Sequence, residues 1–90
     1  MGIDTDAEHS RYLEQFGRAV RVERKALGYS QEAFADRVGL DRSYMGGVER
    51  GERNIALINM MRIVEALGMQ PSGFFKHLDS TDLPAGADKP

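Results

Sequence analysis

The 90-residue chain contains no cysteine and no tryptophan, with only three prolines and two histidines. Without cysteine, neither a disulfide framework nor a thiolate metal site is available. Small secreted domains commonly depend on such cross-links, so a cytoplasmic location is expected. No apolar run approaches the roughly 18 residues of a membrane span, and the amino terminus MGIDTDAEHS lacks the basic and apolar regions of a signal peptide. His9 and His77 are far apart, and neither an H-x-x-x-H pattern nor a glycine-rich phosphate loop occurs. Both histidines read as surface residues. The chain is therefore not expected to be an enzyme, and no catalytic residue, metal or cofactor is expected.

What is present fits one small domain with a single modest core, at 41% hydrophobic residues. The formal net charge of -2 hides an uneven distribution. Residues 1–10 carry Asp4, Asp6 and Glu8 with no Lys or Arg, whereas residues 11–62 carry ten Arg or Lys against seven Asp or Glu. Acid returns in residues 63–90. The basic middle is nearly all arginine, the better donor to phosphates and base edges.

Apolar spacing is helical throughout, with no period-two alternation and no internal repeat. Residues 1–9 read as an acidic arm. Ser10 can cap a first helix running to about Leu27, with Leu13, Phe16, Val20, Arg24 and Leu27 on one face. Ser30 caps a second helix, Gln31 to about Val38, with Phe34 and Val38 inward and Gly39 at its end. Asp41 caps a third, in which Leu40, Met45 and Val48 share one side and Gly51 closes the segment. Its other face carries Arg42, Ser43, Tyr44, Gly46, Gly47 and Arg50. Ile55 to Leu67 forms a fourth helix, and a fifth starts at Gln70-Pro71 and ends near Leu78. Residues 10–78 make the domain and residues 79–90 a solvated tail. Two short helices joined by a glycine-containing turn form a helix-turn-helix.

With these residues in place, the chain resembles the phage-repressor/Cro-like helix-turn-helix regulators, an all-α, five-helix, lambda-repressor-like fold. The matching positions run from Phe16-Gly17, Val20-Arg21 and Arg24 through Gly28-Tyr29-Ser30-Gln31, Ala35, Val38-Gly39, Ser43-Tyr44 and Val48-Glu49-Arg50-Gly51. They continue with Leu57, Met60, Ile63, Ala66-Leu67-Gly68 and Phe74-Phe75. Within that family, LDRSYMGGVERGERN is most similar to the small controller regulators of restriction–modification operons in bacteria. The resemblance implies a homodimer on an inverted-repeat double-stranded DNA operator, acting as repressor, activator or both. The second helix of the motif would lie in the major groove. It further implies base contacts at Arg42, Ser43, Tyr44, Gly46 and Gly47, and phosphate contacts at Gln31, Arg50 and Arg53. Arg24 and Glu49 fall where the family places a buried ion pair.

The residue chemistry is compatible with these roles. Arg42 can offer parallel donors to guanine O6 and N7, with about 1–3 kcal/mol of base discrimination. Ser43 positions more surely than it specifies. Tyr44 has a phosphate, a thymine methyl or the domain's own surface open to it. Gly46 and Gly47 each cost roughly 1 kcal/mol against alanine in a helix and read nothing by themselves. Either bare backbone brings the helix nearer the groove floor, or specificity rests on Arg42, Ser43 and DNA shape; the second is favoured.

On the fourth helix, Leu57, Met60, Ile63, Val64 and Leu67 make a core stripe. Ile58 and Met61 widen it to about 220° at about 100° per residue, more than one core needs. With Phe75 and His77 nearby, this excess reads as the dimer interface. The competing reading is an antitoxin-type helix-turn-helix protein that binds chiefly a protein partner through its tail.

Overall fold

The structure, a computed structural model, describes the backbone of residues 6–82 and the side chains of residues 10–76. Five helices follow one another: α1 Asp6–Ala26, α2 Gln31–Val38, α3 Arg42–Glu49, α4 Leu57–Ala66 and α5 Pro71–Asp82. No strand occurs among the described residues. Nor is any helix there long and apolar enough to cross a membrane.

The helix boundaries follow local chemistry. Ser30 accepts from the Ala33 N–H at 3.0 Å to start α2, and Asp41 accepts from the Tyr44 N–H at 3.2 Å to start α3. Gly39, at φ +85°, takes the left-handed conformation that ends α2. The N–H groups of Gly39 and Leu40 both donate to the Ala35 carbonyl at 2.9 Å. That turn sends the chain directly into α3.

The core is filled by Phe16, Ala19 and Val20 of α1, Phe34, Ala35 and Val38 of α2, and Met45 and Val48 of α3. Ile55, Ile63, Val64, Leu67 and Phe74 close it from the other side. Phe16 meets Phe74 edge-on, with ring centroids 5.5 Å apart, which couples α1 to α5. Burying such side chains contributes about 1.5–3 kcal/mol each. That is what holds two eight-residue helices that would be marginal alone.

Four details depart from the expectation. Helix α1 begins at Asp6, ahead of the expected Ser10 cap. Acidic residues are stabilising at a helix N-terminus, and the packed turns behind them supply the nucleus, so no apolar period is needed there. Helix α5 runs to Asp82, beyond Leu78. Leu27 is 52% exposed, because it follows the last residue of α1 where Gly28 turns the chain. Helix α4 begins at Leu57, two residues after the expected start at Ile55, and Leu57 is 60% exposed while Ile55, in the preceding loop, is buried. Residues 1–5 of the expected arm and 83–90 of the expected tail lie outside the described residues.

Candidate nucleic-acid interface

Helix α3 is held from beneath and at its far end. Met45 and Val48 are buried in the core, and Glu49 enters a two-point pair with Arg24 of α1. Arg24 Nε donates to Glu49 Oε2 at 2.7 Å and Nη2 donates to Oε1 at 3.0 Å. The remaining nitrogen, Nη1, donates to the Tyr29 carbonyl at 2.8 Å in the α1–α2 turn. Gln31, the first residue of α2, donates through Nε2 to Glu49 Oε1 at 3.0 Å. One carboxylate thus joins the first three helices, and among the described residues no buried side-chain nitrogen or oxygen lacks a partner.

The opposite face of α3 is open. Arg42 and Ser43 are exposed, and Arg50 stands exposed just past the last turn. Together with Gln31 and Gly46 they line an open cleft of about 260 Å³. It gathers two guanidinium groups, a hydroxyl and an amide with one N–H still available, a donor set suited to phosphate and base oxygens. Arg50 Nε also pairs with Glu52 Oε1 at 3.0 Å, both side chains largely in solvent.

Tyr44 is half-buried and packs against the core. Of the roles open to it, the domain's own surface is the one the structure displays, with the Arg53 guanidinium lying over its ring at 5.5 Å from the centroid. Gly46 and Gly47 are buried, so neither is bare backbone in this conformation. A Cβ on Gly46 would meet Arg50 Nη1 at 3.1 Å and Gln31 Oε1 at 3.2 Å. One on Gly47 would meet Arg53 Cγ at 2.7 Å. Arg50, one turn along from Gly46, and Arg53, returning from the loop beyond α3, occupy the space that the glycines leave. The Arg53 contact was not foreseen, because the chain returns over α3 only after its closing turn. The pairing of Gln31 with Glu49 was also missed; the separation of eighteen residues has no periodic signature.

Of the residues expected at a dimer interface, Ile58 is 69% exposed and Met61 half-buried on α4. Phe75 of α5 is half-buried, stacked on Phe16 with centroids 6.3 Å apart. The His77 side chain lies outside the described residues. Tyr12, Leu13 and Phe16 of α1, Ile55 of the loop before α4, Met60 of α4 and Phe75 of α5 border an apolar depression of about 260 Å³. Among the described residues no three His, Cys, Asp or Glu side chains converge as a metal site would require.

Comparison with known proteins places this geometry. The model of a helix-turn-helix family matches residues 20–74. Control protein C.MunI from Mycoplasma sp is 36% identical over 66 residues, covering 72% of this chain and 89% of that protein. The crystal structure of the restriction–modification controller protein C.AhdI from Aeromonas hydrophila superposes with a TM-score of 0.68 at 48% identity, covering 71% of this chain and 97% of that one. C.Esp1396I bound to a 19 base pair DNA duplex superposes with a TM-score of 0.75 at 29% identity, covering 80% of this chain and 96% of that one. C.Esp1396I has also been solved as a tetramer in complex with its natural 35 base-pair operator. With the family match spanning more than half its length and these relatives covered nearly whole, the chain belongs to the helix-turn-helix family, among the restriction–modification controller proteins.

Proposed function

We propose that the protein is a transcriptional regulator that binds an inverted-repeat operator as a homodimer, each copy laying α3 in the major groove. The observation that carries this reading is the exposed face of α3: Arg42, Ser43 and Arg50, with Gln31, converge on one cleft above a helix locked from below. Arg42 reads base edges, with Ser43 and Tyr44 beside it, while Gln31, Arg50 and Arg53 engage phosphates. The binding of C.Esp1396I to an operator supports the same use here, as does the likeness to C.AhdI and C.MunI. The genes under control are then those of a restriction–modification operon, and the protein acts in the cytoplasm without catalysis.

Dimerisation is assigned to α4 and α5. Leu57 and Ile58 expose apolar surface beside Met61 on α4, and Phe75 on α5 borders the apolar depression that Met60 also lines. A second copy covering this face presents two α3 helices to half-sites about 34 Å apart, one turn of DNA.

Selection of bound duplexes from a random-sequence pool tests the whole reading. The expected product is a two-fold-related pair of half-sites, protected on one side of the duplex. Recovery of unrelated sequences, or of a single unpaired site, would overturn it.

A further inference from the structure

Arg53 does not extend freely from the loop after α3. Arg50 caps that helix and Gly51, at φ +76°, follows in the left-handed conformation. The Gly51 N–H donates to the Val48 carbonyl at 3.0 Å and the Glu52 N–H to the Gly47 carbonyl at 2.8 Å. This closure folds the chain back along the helix it has just left. Arg53 therefore crosses α3 at Gly47, its stem where a side chain at that position would stand. A Cβ there would lie 2.7 Å from Cγ, 3.4 Å from Nε and 3.5 Å from Cδ of Arg53. Tyr44, three residues earlier and so adjacent on the helix surface, receives the guanidinium over its ring.

We propose that Gly47 is a positioning residue: with Tyr44 it forms a seat that fixes Arg53 against α3, so that a loop cation joins the surface of the recognition helix. The proposal rests on the DNA-binding reading above. A long arginine loses conformational freedom when it engages a partner, and a side chain held in place beforehand loses less. Glycine at position 47 weakens the helix, yet only glycine leaves the stem of Arg53 room to lie there.

A double-mutant cycle of Gly47→Ala and Arg53→Ala, made in the full chain, tests the seat. The probe is a duplex that the parent protein has selected from a random pool. Gly47→Ala should lose about tenfold in affinity when Arg53 is present and less than about twofold when residue 53 is alanine. Its melting temperature should be no lower than the parent's, since alanine favours the helix. Equal losses in both backgrounds would make the added methyl an obstacle to DNA, and no loss with Arg53 present would make the seat irrelevant; either overturns the proposal. In the DNA-free protein, the Arg53 side-chain proton resonances should lie upfield through the Tyr44 ring current. They should move to random-coil positions in Gly47→Ala and in Tyr44→Leu. Random-coil positions in the parent would overturn the seat directly. A parent that selects no sequence would refute the regulator reading instead, with the ring-current measurement still deciding the seat.

Discussion

Arg24 and Glu49 form a two-point ion pair with side chains only 7% and 3% exposed, joining the last turn of α1 to the end of α3. Removing one partner leaves a buried charge or an unpaired set of donors, a change that costs about 3–5 kcal/mol. Glu49→Leu should therefore lower the urea midpoint severely or abolish folding. The paired replacement Arg24→Met with Glu49→Leu should recover much of that loss, because hydrophobic substitutes for a buried pair are often neutral. A double variant no more stable than the single one would mean that Gln31 and the Tyr29 carbonyl, both also bonded to this pair, dominate its contribution.

Two glycines in helices should respond in opposite directions to alanine. A Cβ on Gly17 would come within 2.6 Å of the Glu49 carbonyl oxygen and closer still to that of Val48, both backbone atoms of α3. Gly17→Ala should force α1 from α3 and lower the melting temperature by at least about 10 °C, the scale of a few kcal/mol in a domain this size. Gly73, in α5, has nothing within 4 Å of the same construction. Gly73→Ala should raise stability by up to about 1 kcal/mol. Calorimetry of both variants checks the contrast.

On DNA, Arg42 and Arg50 should separate by the kind of loss they cause. Arg42→Ala should weaken selected sites by about 1–3 kcal/mol and relax preference at one base pair in each half-site. Arg50→Ala should weaken all sequences alike and flatten the salt dependence, by up to about 0.9 in the logarithmic slope for each phosphate left without its cation. Glu52 pairs with Arg50 in the free protein, so Glu52→Ala should tighten binding at low salt. Fluorescence anisotropy across a salt series measures all three.

The apolar end of α4 yields a test independent of DNA. A carboxylate at Ile58, which is 69% exposed, should cost the monomer fold little. If a second copy covers this face, Ile58→Glu and Met61→Glu should each shift sedimentation from dimer to monomer, since an uncompensated buried charge at an interface is strongly unfavourable. Unchanged sedimentation of both would move the interface elsewhere.

Much of this arrangement is legible from residue order, because its signals are local. Ser30 and Asp41 each sit three residues before the N–H that they cap, Gly39 follows directly on α2, and Gly51 comes one residue after the Arg50 cap of α3. Phe16, Val20, Phe34, Met45 and Ile63 keep helical spacing and are buried. Legibility fails at helix ends, where periodicity no longer determines direction: Leu27 and Leu57 fit the stripes yet face outward. It fails again where residues meet through a fold-back. Nothing in the run Tyr44-Met45-Gly46-Gly47 indicates that Arg53 will cover Gly47 and the Tyr44 ring. The start of α1 is hidden for a third reason, since Asp6 to His9 continue a helix whose packing lies further along.

Along α3 the residues that carry the frame and those that face outward belong to separate sets. Met45, Val48 and Glu49 anchor it, while Arg42 and Ser43 touch nothing on which the core depends. If Arg42 and Ser43 read the operator as proposed, a regulator built this way can be retargeted cheaply, because exchanges at 42 and 43 leave the way the helix is held unchanged. The glycine at 47 sets the boundary of that freedom, because any larger residue there alters the loop arginine as well as the helix.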